Sequence, residues 1–204
     1  MVKKILLFSV YILLGLFASA QRIYVWCPPE TGLSSPNDKL KGFNINVVIS
    51  DTRTIIDTTK VECSSQNLID IIANTVVSTY PSAIINILDS SQYKQAGEEN
   101  KITIKIAISA YHSASGTDVS TAIGNPEGNF NWGILPKNKW NSVAGFHVVI
   151  DDYRTDQHKT LTRNIANIVS RPNIGGSLTA KKALYEAYRE ANKELLYFIE
   201  TTVK

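Results

Sequence analysis

The sequence predicts an α+β domain: a single, mainly antiparallel sheet with two helices packed on one face. Three observations predict it. "KITIKIAIS" in the middle of the chain alternates strictly, with Ile102, Ile104, Ile106 and Ile108 on one face and Thr103, Lys105 and Ala107 on the other. Two stretches, one ending at Pro81 and one closing the chain, carry apolar residues at helical spacing instead. Strands and helices do not alternate strictly, and no Gly-rich turn joins a strand to a helix, which argues against a doubly wound nucleotide-binding fold.

The elements follow in order. "MVKK", the apolar run "ILLFSVYILLGLFASA" and its small closing residues read as a secretory signal peptide over residues 1–20, cleaved after Ala20. The run is shorter than the ~20 residues that a spanning helix needs. Residues 21–204 then form one domain. "RIYVW" (Arg22–Trp26) is a short strand stopped by Cys27, Pro28 and Pro29. Residues 30–41 are a loop rich in Ser, Pro, Gly and Asn. "FNINVVIS" is a strand, with Phe43, Ile45 and Val47 on one face. "TIIDTTKVE" extends it or makes a hairpin-related partner.

"SSQNLIDIIANTVVSTYP" changes to helical period through Leu68, Ile71, Ile72, Val76 and Tyr80, with serines suited to N-capping in front. "AIINIL" is a brief strand, and "KITIKIAIS" is the clearest one, its Thr/Lys face expected to be the wetter. Residues 111–142 are too rich in Gly, Asn and Ser for one regular element, though Phe130, Trp132 and Ile134 alternate as a strand would. The turn "PKNK" leads into the strand "VAGFHVVID". "HKTLTRNIANIV" fits a return strand through Leu161, Arg163, Ile165, Asn167 and Val169, with a short helix as the alternative. After the loop "RPNIGG", a helix from about Leu178 to Thr201 places Leu184, Ala187, Tyr188, Ala191, Leu195, Phe198 and Ile199 on one apolar stripe.

Composition narrows the function. The chain's net charge of +3 falls to +1 when Lys3 and Lys4 leave with the leader, since no acidic residue leaves with them. That balance gives no electrostatic case for nucleic acid. The two cysteines, Cys27 and Cys63, are an even count in an exported chain and are candidates for a disulfide closing a loop of about 37 residues. No metal-ligand spacing is present, and no cofactor is expected.

One phrase is written twice: "VVISDTRT" from Val47 and "VVIDDYRT" from Val148. An Asp at a strand end bonds backbone N–H groups two residues on, and an Arg one residue away reaches a carboxylate or carbonyl. On neighbouring strands, Asp51 would meet Arg154, or Asp152 would meet Arg53. The phrase is read first as two strand ends using one device, and second as a polar cluster for a ligand or partner. The flanks do not align, so it is not a domain repeat.

A strand ending in "VVISDTR", a helix, paired strands, a second Asp-x-Arg end and a C-terminal helix resemble bacterial envelope proteins of the YajG lipoprotein type. The resemblance spans about residues 43–203 and lies in layout. It implies a small, non-catalytic envelope protein. The chain departs from that type at the lipid-attachment cysteine, for Gln21 follows the leader.

The remaining candidates are Tyr111, His112, Phe130, Trp132 and Trp140, aromatic and polar groups in or beside the irregular segment that suit a sugar, peptide or protein surface. The bland alternative is that they cover a sheet face. The expected function is an exported binding or structural protein of the periplasm or cell surface, whose partner is another envelope protein or a glycan. Many asparagines but no Asn-x-Ser/Thr sequon favour a bacterial source. The alternative is a secreted hydrolase of polysaccharide or peptide, with His112 and Asp118 near the chemistry.

Overall fold

The computed structural model describes residues 22–29, 34–53, 59–89, 101–115, 138–154 and 158–203. The expected leader therefore lies outside the described residues. In chain order the elements are β1 (Arg22–Val25), β2 (Asn44–Asp51), β3 (Thr59–Val61), α1 (Ser65–Thr79), β4 (Ile84–Leu88), β5 (Ile102–Ser115), β6 (Lys139–Asp152), β7 (Lys159–Pro172) and α2 (Gly176–Val203). The ambiguous "HKTLTRNIANIV" is a strand. Its residues are held in a fourteen-residue antiparallel ladder with β6, from Lys139↔Pro172 to Asp152↔Lys159.

Among the described residues the sheet has seven strands and is mixed, which corrects the expectation of a mainly antiparallel one. Three pairs run parallel, β1–β3, β2–β4 and β2–β5; three run antiparallel, β1–β5, β5–β6 and β6–β7. One of the parallel pairs follows from a crossover: β2, α1 and β4 form a strand–helix–strand unit, and a connection of that length returns β4 parallel to β2. β3 is likewise no hairpin partner of β2, but pairs with β1, which lies farther along the same edge of β5.

β5 organises the sheet. One of its edges carries β6 along almost its whole length, with a bulge between Ile108 and Ala110. Its other edge is shared: β2 takes Ile102–Ile108 and β1 takes Ser113–Ser115. Between them lies a stretch of edge that no strand among the described residues covers.

Both helices lie on the face that carries Ile45, Val47, Ile104, Ile106, Ile108, Phe146, Val148 and Ile165, all in one core cluster with Leu68, Ile72, Val76, Leu184, Leu195 and Ile199. Ser64 caps α1 by accepting from the Asn67 N–H at 3.1 Å, and Tyr80 and Pro81 end it. Tyr80 is buried, and its hydroxyl donates to the Leu196 carbonyl at 3.3 Å, which ties the end of α1 to α2. Beside it Glu200, also buried, accepts from Lys39 Nζ at 2.6 Å and anchors the 34–43 connection. α2 starts at Gly176, two residues before the expected Leu178, where Gly175 and Gly176 turn the chain with φ of 87° and 59°. A Cβ at Gly175 would stand 2.8 Å from Thr179 Oγ1, so glycine is required there for space as well as for φ.

The second face of β5 is not the wetter one that its Thr/Lys pattern suggests. Thr103, Ala107, Ala110, His112 and Ala114 are all buried there, and only Lys105 is partly exposed. Alternation therefore reports the two faces of a strand but not how wet each is.

Candidate functional site

The repeated phrase builds the same structure twice. At the end of β2, Asp51 Oδ1 accepts from the Arg53 backbone N–H at 3.1 Å and from Arg53 Nε at 2.8 Å, while Asp51 Oδ2 accepts from Arg53 Nη2 at 2.5 Å. At the end of β6, Asp152 and Arg154 repeat all three bonds at 3.0, 2.9 and 2.6 Å. Each Asp thus closes an Asx-type turn and holds its own Arg by a bidentate fork. The expected crossed pairs, Asp51 with Arg154 or Asp152 with Arg53, do not form. Asp51 stands opposite Ile108 and Asp152 opposite Ile102, which are six residues of β5, or about 20 Å, apart.

What each Arg does beyond its turn differs. The remaining Arg53 nitrogen, Nη1, donates to the Tyr111 carbonyl at 3.2 Å, and Thr52 bonds the Ile108 carbonyl through both its N–H and its hydroxyl. These donors fill the uncovered stretch of the β5 edge between β2 and β1. Arg53 therefore supplies the hydrogen bond that a strand would otherwise provide. Its guanidinium also lies 6.0 Å from the Tyr111 ring centre. Arg154 instead lies over the Phe43 ring at 5.0 Å, near the start of β2.

Four candidates, Asp51, Arg53, Tyr111 and His112, are thus brought together. The Asp51 carboxyl is held below the usual carboxylate range: burial pushes it up, but hydrogen bonds from Arg53 and Ser65, with the Arg53 charge, more than offset that. The Tyr111 hydroxyl donates to the Trp26 carbonyl at 2.8 Å, and burial raises its pKa well above the ordinary value. His112 is buried with Nε2 unpartnered, and burial together with the Arg53 charge pushes its pKa down to about 4. Trp140 sits apart, edge-on to Tyr24 at 5.6 Å, while Tyr24 stacks on Trp26 at 5.0 Å. Trp26 and Trp140 are buried, so these aromatics cover the sheet. Phe130, Trp132 and Asp118 lie outside the described residues.

His112 sets a pH dependence. The unfolded chain takes up this proton near pH 6.5, the folded chain only near pH 4. The full stability is therefore present above about pH 6.5 and is lost as pH falls towards 4, by about 3 kcal/mol in all. Unfolding free energies measured by urea across that range are expected to fall more steeply for the wild type than for His112→Gln. Parallel curves would contradict the assignment.

One polar group was missed by sequence reasoning. Asp151 is buried on the second face and accepts from Thr160 Oγ1 at 2.6 Å, with His158 Nε2 at 3.3 Å and Lys105 Nζ at 3.5 Å. His158 stacks on Tyr153 at 4.3 Å. Asp151 lies in one cross-strand row with Asn86, Asn46, Thr103 and Thr160. The signal was present in the repeat itself, because Asp151, against Ser50, is one of the two positions at which the copies differ.

The arrangement defines a mixed-sheet α+β domain whose Asp-x-Arg ends are closed structural turns. The cysteines Cys27 and Cys63 are bonded, with Cα atoms 4.7 Å apart. No helix among the described residues is long and apolar enough to cross a membrane. No family model and no curated relative matches the sequence. Among solved structures, the chain is similar to the hypothetical protein CT253 from Chlamydia trachomatis, with a TM-score of 0.45 and 8% identity over 78% of this chain and 96% of that one. It is also similar to the rare lipoprotein B from Shewanella oneidensis, with a TM-score of 0.38 and 8% identity over 77% and 95%. Lipoprotein GNA1162 from Neisseria meningitidis gives 0.30 and 11% over 74% and 99%. The likeness to proteins named as lipoproteins is loose, and no residue role is taken from it.

Proposed function

We propose that the chain is an exported, non-catalytic binding or structural protein of the bacterial cell envelope. The observation that carries this reading is the Cys27–Cys63 disulfide, because such bonds form and persist in oxidising compartments. Closure of the polar candidates supports the non-catalytic part. Asp51 and Arg53 are turned on each other and on the β5 edge, and His112 is buried and neutral at physiological pH. The partner on this reading is another envelope protein or a glycan, met through the outer surface rather than through the buried aromatic groups. Cell fractionation with thiol labelling tests it. The protein is expected in the periplasmic or surface fraction, with no label before reduction; a cytosolic protein with two labelled cysteines would overturn the reading.

A further inference from the structure

We infer that the turn between β7 and α2, with the first turns of α2, is a docking surface for an anionic lipid bilayer. Residues 171–178 are exposed without a break. Two large apolar side chains project from this segment, Ile174 at 77% and Leu178 at 61% exposure. The turn is fixed: the Ile174 N–H donates to the Pro172 carbonyl at 2.8 Å, and Thr179 Oγ1 donates to the Ile174 carbonyl at 2.5 Å. Single exposed apolar residues are common on folded proteins and mean little alone. What distinguishes this pair is the charge around it.

Lys181 and Lys182 follow Leu178 at i+3 and i+4 and so flank it on the helix. Lys139 opens β6 directly opposite Pro172, which brings a third lysine to the same end of the sheet. Arg171 is also there, paired to Glu186 at 2.6 Å. Among the described residues, Lys139, Lys181 and Lys182 have no carboxylate within ion-pair distance, and Lys181 instead lies 5.7 Å from the Tyr185 ring centre. The first turn of α2 holds no acidic residue, so its N–H groups add positive potential at the same place.

Exposed apolar tips at the same end of the sheet as uncompensated lysines match the boundary of an anionic membrane. There the tips enter the acyl region, and the cations meet headgroup phosphates. An acidic protein groove would match the lysines but would give the exposed Ile174 and Leu178 no comparable apolar medium. The inference deepens the envelope reading and rests on it only for which membrane is met.

The test is vesicle co-sedimentation of the protein as its host processes it, at about 0.15 M ionic strength. The vesicles are phosphatidylcholine alone or phosphatidylcholine mixed with phosphatidylglycerol. Binding to the phosphatidylglycerol vesicles is expected, at least ~tenfold weaker for Lys181→Glu/Lys182→Glu and lost for Ile174→Asp/Leu178→Asp. Circular dichroism and melting unchanged from wild type establish that these exposed-site variants fold. No binding to either vesicle, equal binding to both, or wild-type binding by both variants would overturn the proposal. Each of these results would leave the disulfide and the export assay untouched, so the two readings fail separately.

Discussion

Arg53→Leu is expected to lower the unfolding free energy by about 3–5 kcal/mol, and Arg154→Leu by no more than about 1 kcal/mol. The two residues occupy the same place in the same motif, with bond lengths that agree within about 0.1 Å. Burial separates them. The Arg53 and Asp51 side chains are 4% and 7% exposed, whereas those of Arg154 and Asp152 are 30% and 23% exposed. Removing Arg53 leaves a desolvated carboxylate without its cation and a length of β5 edge without its donor; removing Arg154 leaves a carboxylate that water can solvate. Urea titration of the two variants side by side reads the difference. Equal costs would mean that Arg53 is no better sealed than Arg154. Asp51→Asn/Arg53→Leu should recover part of the loss, because the stranded charge is then absent.

Opening the Cys27–Cys63 bond is expected to cost about 4 kcal/mol in the chain-entropy model, for a separation of 36 residues. The bond joins the chain just beyond β1 to the residue before the α1 cap, Ser64. It holds β1 beside the uncovered stretch of β5 and fixes Trp26, whose carbonyl receives the Tyr111 hydroxyl. Both Cys27→Ser/Cys63→Ser and the reduced wild type should therefore melt earlier by the same amount. Loss of the Tyr24–Trp26–Trp140 packing should also change the near-ultraviolet circular dichroism. An unshifted melt on reduction would show that the bond contributes nothing to this fold.

The parts of the fold that sequence made legible are those written as period. β5 alternates over four isoleucines, α1 repeats at helical spacing between a serine cap and Pro81, and the α2 stripe is buried from Leu184 to Ile199. β7 was ambiguous because Leu161 and Ile165 suit both periods, with Val169 continuing a strand and Ile168 a helix, and pairing with β6 decided it. Strand direction was harder. The order "FNINVVIS", helix, "AIINIL" did hold the parallel crossover, but β3 and β1 pair through contacts that no local pattern records.

At the site, the Asp-x-Arg phrase revealed a device but not its partners. Which Arg each Asp meets depends on strand positions about 20 Å apart, and each proved to be local. Arg53's second role, covering an edge left open between two strands, depends on where β2 stops and β1 begins along β5, which only the assembled sheet defines.

The central claim is that this chain works by contact rather than by catalysis, and crosslinking in intact cells with mass spectrometry of the captured species tests it most directly. The account predicts reproducible crosslinks from the tagged protein to an envelope component, unchanged in His112→Ala. A protein free of any envelope component, with hydrolysis of an envelope polymer that disappears in His112→Ala, would contradict it.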